Sequence, residues 1–99
     1  MRWLLLVFLL AGCVSVAPDA SGEEIFGALC ARCHGSDMQG EVGPSLGPGS
    51  NAAEQEDDFL ATTITRGRGR MPSFGSTLDD EQIERLIAYL RQRQAEDGS

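Results

Sequence analysis

The stretch Cys30-Ala31-Arg32-Cys33-His34 brings two thiols and an imidazole together in five consecutive residues. Residues three and four positions apart lie on the same side of a helix, so Cys30, Cys33 and His34 are all presented to one side. A group that bonds to both thiols would be held where the imidazole of His34 can reach it.

The C-x-x-C-H arrangement is typical of covalent haem attachment, in which both thiols bond to one porphyrin and the histidine ligates its iron. Three other uses of the motif stay open. A thioredoxin-like dithiol needs a βαβ pattern, and no stretch here alternates convincingly between apolar and polar residues. A zinc site needs a fourth ligand beyond Cys30, Cys33 and His34, and the sequence has no second histidine and only Cys13 as a further cysteine, at the end of the N-terminal apolar run. A Cys30–Cys33 disulfide is compatible with an exported protein.

Two helices have clear boundaries in the sequence. The first begins at the capping box Ser21-Gly22-Glu23-Glu24 and ends near His34. The last is capped by Asp79, frays after Arg91, and carries an apolar stripe with the helical period. The stripe consists of Ile83, Leu86, Ile87 and Leu90.

A middle helix is predicted over residues 54–65, with acidic residues in its first turn. Its inward-facing residues are expected to be Phe59, Thr63 and Ile64. Five glycines and two prolines between residues 35 and 50 predict a long irregular loop. Met71 precedes Pro72, which disfavours a helix at this position, so Met71 is expected on a loop. The fold class is therefore all-α.

Residues 1–12 have the layout of a signal peptide, with Arg2 followed by an apolar run and then small residues. The run from residue 3 to 10 is about half as long as the roughly 17–25 apolar residues that span a bilayer. The tetrad Leu10-Ala11-Gly12-Cys13 resembles the lipobox of bacterial lipoproteins, which implies cleavage before Cys13 and a lipid on that cysteine. A plain secretory signal or a retained anchor stays open.

These boundaries predict four segments: the signal peptide, a lipidated tether over 13–21, a folded domain over 22–92 and a polar tail over 93–99. Residues 14–20 are expected to be flexible, because they are mostly small and include a proline. The domain is expected to be exported and lipid-anchored on the extracytoplasmic side of a bacterial membrane.

The charge of the chain limits its partners. The formal net charge is −7, and all eight basic residues are arginines. Nucleic acid is an unsuitable partner for so acidic a chain. If electrostatic attraction guides association, the partner is expected to be a redox protein with a basic docking face. No small-molecule substrate is expected.

From about Gly22 to Leu90 the sequence resembles the class I, single-haem bacterial cytochromes c. The resemblance lies in the C-A-R-C-H motif, in Gly43-Pro44-Ser45-Leu46, in the R-G-R-G-R-M-P run over 66–72 and in a closing helix that ends in A-Y-L. It implies a small cytochrome c fold, with three main helices wrapped around one covalent haem c and long irregular loops. It also implies a one-electron carrier rather than an enzyme.

The axial ligands are expected to be His34 and Met71. His34 is the only histidine, and Met38 is only four residues away from it, whereas Met71 is distant enough in sequence to reach the opposite side of the haem. The resemblance implies that the Pro44 carbonyl accepts the free N–H of the His34 imidazole and that Leu46 packs on the haem. Two alternatives stay open: a haem with an open sixth position for gas or peroxide, and a thiol or metal module without haem.

The resemblance also implies where the first and last helices meet. They are expected to cross near Gly22, Phe26 and Tyr89, where a glycine permits close approach of the two backbones.

Overall fold

The computed structural model describes residues 15–96, which form three main helices joined by irregular segments. The first, α1, spans residues 22–34, with a π-helical turn Phe26–Cys30 between the α-helical turns Gly22–Ile25 and Ala31–His34. Helix α2 is Asp57–Arg66 and helix α3 is Asp80–Ala95, and a short 3₁₀ turn Ala52–Glu54 precedes α2. Within 15–96 the only β pairing is an isolated bridge between Arg68 and Met71. The predicted all-α class is confirmed.

The signal peptide and Cys13 lie outside the described residues. Among the helices of 15–96, none is both long enough and apolar enough to cross a membrane.

The predicted capping boxes set the starts of α1 and α3. At α1, Glu24 N donates to Ser21 Oγ at 3.1 Å, and Ser21 N donates to Glu24 Oε1 at 2.8 Å. At α3, Asp79 and Gln82 make the same reciprocal pair, with both distances 2.8 Å. Each box satisfies amides that the first helical turn leaves without an intrahelical acceptor.

Helices α1 and α3 cross at Gly22, as the resemblance implied. A Cβ on Gly22 would stand 2.2 Å from the Arg85 carbonyl oxygen and 2.7 Å from Tyr89 Cβ, so no other residue fits without a backbone shift. The Phe26 and Tyr89 rings lie beside the crossing, 5.8 Å apart and tilted by 53°. Such aromatic pairs contribute about 0.5–1.5 kcal/mol beyond the area they bury.

The core lies between these helices and α2. Ile25, Met38 and Leu86 are its largest fully buried side chains. The α3 stripe predicted from the sequence is buried at all four positions. Residues 35–50 contain no regular element, as expected from their glycine and proline content.

The end of α3 differs from the prediction, because the helix continues past Arg91 to Ala95. Side-chain contacts to residues distant in sequence explain the extension. Arg91 Nε donates to Asp57 Oδ1 at 2.9 Å, and Gln94 Nε2 donates to the Leu46 carbonyl at 2.9 Å. The last turn is therefore held by residues that lie far away in sequence.

The segment before α1 also differs from the prediction of a flexible tether, because residues 17–20 are fastened to α3. Arg85 donates to the carbonyls of Pro18 and Ala20 at 2.9 and 3.0 Å. Gln82 Nε2 donates to the Ala17 carbonyl at 3.3 Å, and Ala20 is buried. The folded part therefore begins before Gly22.

The middle helix begins three residues later than predicted and ends one residue later. Its buried side chains are Leu60 and Ile64, which lie four positions apart on one face. Phe59 was predicted to face inward, and this is wrong: it is 40% exposed, and the Arg68 guanidinium carbon lies 5.4 Å from its ring centroid. With Leu60 and Ile64 facing the core, the neighbouring Phe59 side chain is turned toward solvent.

Candidate haem-binding site

His34 is buried at the C-terminal end of α1. Its Nδ1 lies 2.8 Å from the Pro44 carbonyl oxygen, which can only accept a hydrogen bond. The neutral imidazole must therefore carry its proton on Nδ1, and Nε2 keeps an unshared electron pair. This is the tautomer in which Nε2 is available to a metal.

The loop after α1 is tied back to the helix end by backbone bonds. Gly40 N donates to the His34 carbonyl at 2.8 Å, and Gly43 N donates to the Cys33 carbonyl at 2.6 Å. Gly43 lies directly against the imidazole, because a Cβ there would stand 2.8 Å from His34 Cε1 and 2.9 Å from Nδ1. The orientation of the histidine ring is thus set by both the carbonyl and the loop backbone.

Met38 belongs to this loop but has no exposed surface. Its carbonyl accepts from Leu46 N at 3.0 Å and from Ser45 Oγ at 3.0 Å, and its φ is +62°. The side chain fills the core beneath the loop. Leu46 is partly buried against that core, whereas Pro44 is exposed.

Cys30 and Cys33 are both partly buried, and both are free thiols. Burial raises the pKa of the Cys30 thiol to about 12, and the neighbouring Cys33 adds to the rise. A reactive redox dithiol needs the opposite shift, toward the thiolate. Within 15–96 no three His, Cys, Asp or Glu side chains are grouped so that they could hold a metal ion. The raised pKa of Cys30 and the absence of a bond between the two thiols fit thioether attachment better than thiolate or zinc chemistry.

Met71 follows α2 on a tight turn and packs partly buried against the core. Arg68 and Met71 exchange backbone hydrogen bonds at 2.9 and 3.1 Å. Gly67, with φ +77°, comes so close to this turn that a Cβ would stand 2.6 Å from the Met71 carbonyl oxygen. Ser73 Oγ donates to the Thr65 carbonyl at 2.8 Å, which fastens the far side of the turn to α2. The Met71 backbone is therefore held in place on both sides.

These residues fit a covalently attached haem. The thiols are unpaired, the His34 Nε2 is available, and Leu46 and Met71 are partly buried against the apolar core. The sequence alone did not reveal the roles of Gly43 and Gln94, because one acts through close backbone approach and the other through a contact with Leu46 across the fold.

Comparison with known proteins gives the same result. Residues 17–90 match the family described as cytochrome c oxidase, cbb3-type, subunit III. Cytochrome c6 of Aphanizomenon flos-aquae is 36% identical over 88 residues, which cover 83% of this chain and 97% of that protein. The solved structure of cytochrome c6 from the diatom Phaeodactylum tricornutum has a TM-score of 0.61 at 32% identity, covering 72% of this chain and 87% of that one.

A nicotinate dehydrogenase subunit of Pseudomonas putida is 35% identical over 89 residues, which are 79% of this chain but only 8% of that much longer polypeptide. The chain is thus similar to one small part of a larger protein. The all-α cytochrome c fold predicted from the sequence is confirmed by these likenesses. The chain belongs to the matched family and contains a class I c-type cytochrome domain, of the kind that binds haem c and carries electrons.

Proposed function

We propose that this chain carries one electron at a time on a single haem c, attached through Cys30 and Cys33 and ligated by His34 and Met71. The observation that supports this most strongly is the 2.8 Å contact between His34 Nδ1 and the Pro44 carbonyl, next to two free thiols. The bound haem supplies a one-electron couple between ferrous and ferric iron. With His34 and Met71 as its ligands, the haem iron would have no position open to a substrate, so we expect an electron carrier rather than an enzyme.

His34 acts as the fixed ligand in this proposal. Its N–H donation to Pro44 holds the ring and makes Nε2 a stronger donor. Gly43 prevents the ring from tilting toward the loop, since the backbone already lies against it. Leu46 lies on the same loop and contributes apolar surface next to the haem.

Met71 acts as the second ligand. A thioether is a softer and weaker donor than an imidazole, so it favours ferrous iron and raises the reduction potential relative to bis-histidine ligation. Because hydrogen bonds on both sides hold the Met71 turn, the sulfur is expected to stay in place in both oxidation states.

We also propose the domain organisation predicted from the sequence, with its bounds adjusted to the contacts of residues 17–20 and to the end of α3: signal peptide 1–12, lipid on Cys13, a short tether up to residue 16, and a cytochrome domain over 17–95. Support comes from the lipobox-like tetrad that ends in Cys13. Since Ala17 is already bound to α3, only a few residues separate it from the lipid, or on the order of 15 Å of extended chain. The domain would stay close to the outer surface of the membrane.

Its partners are other redox proteins. Among its relatives are an oxidase subunit and a dehydrogenase subunit, and we propose oxidases and dehydrogenases as the classes of its redox partners. A basic docking face on the partner, expected from the net charge of −7, is part of this proposal.

The test is to express the chain in a bacterium that matures c-type cytochromes and to measure the intact mass. One haem should remain on the protein after denaturation, and its iron should be reduced and reoxidised reversibly. Cys30→Ser and Cys33→Ser should each leave one thioether, and the double variant should leave none. A protein that folds without covalent haem would contradict the proposal and favour a thiol module.

A further inference from the structure

The last turn of α3, over residues 91–95, extends beyond the apolar stripe of the helix and carries polar side chains that reach other segments. Arg91 makes several of these contacts. Its Nε donates to Asp57 Oδ1 at 2.9 Å, and its Nη1 donates to Gln94 Oε1 at 2.8 Å. It also donates to backbone carbonyls of the segment just before α2. The guanidinium therefore ties the end of α3 to the start of α2.

The contact with Arg91 sets the orientation of the Gln94 amide. Because a guanidinium has only donors, the Gln94 atom that faces Arg91 must be the amide oxygen. The amide nitrogen Nε2 is left to donate to the Leu46 carbonyl, at 2.9 Å. The Gln94 side chain is partly buried, so this bond is partly shielded from water.

The Leu46 carbonyl belongs to the short backbone segment that also carries the hydrogen-bond acceptor of His34. The Pro44 carbonyl, two positions before Leu46, lies 2.8 Å from His34 Nδ1. Pro44 has no N–H with which to fix its own position. The segment is held instead by Ser45 Oγ and Leu46 N, which both donate to the Met38 carbonyl at 3.0 Å. The bond from Gln94 holds it from the side of α3.

We propose that Gln94 is a positioning residue for the axial ligand His34. Oriented by Arg91, it holds the Leu46 carbonyl and, through the backbone, keeps the Pro44 carbonyl on the imidazole. Donation of the Nδ1–H makes the imidazole a stronger ligand, and a stronger donor stabilises ferric relative to ferrous iron. Gln94 therefore lowers the reduction potential, although it lies far from the histidine in sequence.

The inference rests on the proposed function, because it takes His34 as a ligand of covalently bound haem. The two can fail separately. A wild-type protein without covalent haem would contradict the proposed function, whereas the role of Gln94 is measured by comparing variants that all carry the haem. The comparison does not depend on the identity of the second axial ligand.

The first test compares the reduction potential of Gln94→Met with that of the wild type. Methionine removes the donor but keeps the charge, the approximate length and the helix propensity of the side chain. At a fixed solution potential, the ratio of ferrous to ferric protein should rise about threefold, as expected for the partial loss of one hydrogen bond. An unchanged ratio would overturn the proposal.

Gln82→Met is the matched control for stability. It removes a similar bond at the other end of α3, from Gln82 Nε2 to the Ala17 carbonyl, together with the capping-box contact to Asp79 N. It should lower the free energy of unfolding and leave the ferrous-to-ferric ratio unchanged. The same rise in Gln82→Met as in Gln94→Met would show that the ratio follows stability, and this too would overturn the proposal.

The second test observes the bond to Pro44 itself. In the ferrous protein labelled with nitrogen-15, the His34 Nδ1–H has its own NMR signal, and its exchange with solvent is slowed while it donates to the carbonyl. In Gln94→Met this exchange should become about fivefold faster. In Gln92→Met, which changes an exposed glutamine of the same helix, it should stay as in the wild type. Unchanged exchange in Gln94→Met would contradict the positioning role.

A third comparison tests whether Arg91 acts through Gln94. In Arg91→Lys the positive charge remains, but one nitrogen cannot hold both Asp57 and Gln94 as the forked guanidinium does. The ferrous-to-ferric ratio should rise in Arg91→Lys, and the double variant R91K/Q94M should match Gln94→Met alone. Rises that multiply in the double variant would show that Arg91 acts by a separate route, and its proposed role would be wrong.

Discussion

Gly43 lies so close to the His34 imidazole that a Cβ at residue 43 would stand 2.8 Å from Cε1. The same loop carries Pro44, whose carbonyl lies 2.8 Å from His34 Nδ1. One short backbone segment thus both limits the position of the ring and accepts the hydrogen bond from its Nδ1–H.

The first prediction concerns Gly43→Ala. The added methyl must push the loop away from the ring, which weakens the contact between His34 and Pro44 and should lower the free energy of unfolding by about 1–3 kcal/mol. Chemical unfolding of the haem-loaded protein measures this. Gly27→Ala is the matched control, because a Cβ there meets nothing within 4 Å. It should leave stability unchanged or raise it by up to about 1 kcal/mol.

The second prediction concerns the helix crossing. In Gly22→Ala the new Cβ would meet the Arg85 carbonyl at 2.2 Å, and neither backbone can yield without separating α1 from α3. We expect a loss of about 3 kcal/mol in the free energy of unfolding, with the haem spectrum of the folded fraction unchanged. If the variant unfolds at the same denaturant concentration as the wild type, α1 and α3 do not pack closely at Gly22, and the prediction is wrong.

The two clear helix starts could be predicted from the sequence because a capping box is a local signal. Ser21 with Glu24, and Asp79 with Gln82, need no knowledge of the rest of the fold. The continuation of α3 to Ala95 could not be predicted, since it depends on contacts with residues far away in sequence.

The residues of the candidate site also fall into those that the local sequence predicts and those that it does not. The thiols and His34 are adjacent in sequence, so their joint presentation follows from helical geometry. The resemblance to a known family suggested Pro44, because nothing local connects it with the histidine. Gly43 has no sequence signal of its own: its importance appears only when the loop is seen lying on the ring.

A third prediction concerns the segment before α1. Arg85→Met removes the donors to the Pro18 and Ala20 carbonyls, each worth about 0.5–1.5 kcal/mol. Hydrogen exchange of the Ala20 amide should become about tenfold faster as this segment detaches. Arg93→Met serves as the control, because that side chain contacts Tyr89 and Glu96 instead. Unchanged exchange in Arg85→Met would show that other contacts hold the segment.

A fourth prediction concerns Cys13. If this residue carries the lipid, Cys13→Ser should move the haem-loaded domain from the membrane fraction to the soluble exported fraction, with its spectrum unchanged. Fractionation followed by detection of covalent haem makes the measurement. Continued membrane association of the variant would contradict lipidation and favour a retained N-terminal anchor.

The central claim, ligation of the haem iron by Met71, is tested most directly by the ferric absorption spectra of a matched pair of methionine variants. Met71→Leu removes the thioether sulfur of a partly buried side chain on the 68–71 turn. Met38→Leu removes a thioether sulfur from a fully buried side chain of the core. We predict that the weak charge-transfer band of a sulfur-ligated haem is present in the wild type and in Met38→Leu and absent in Met71→Leu. A band that survives in Met71→Leu, or that is missing from the wild type, would contradict this account.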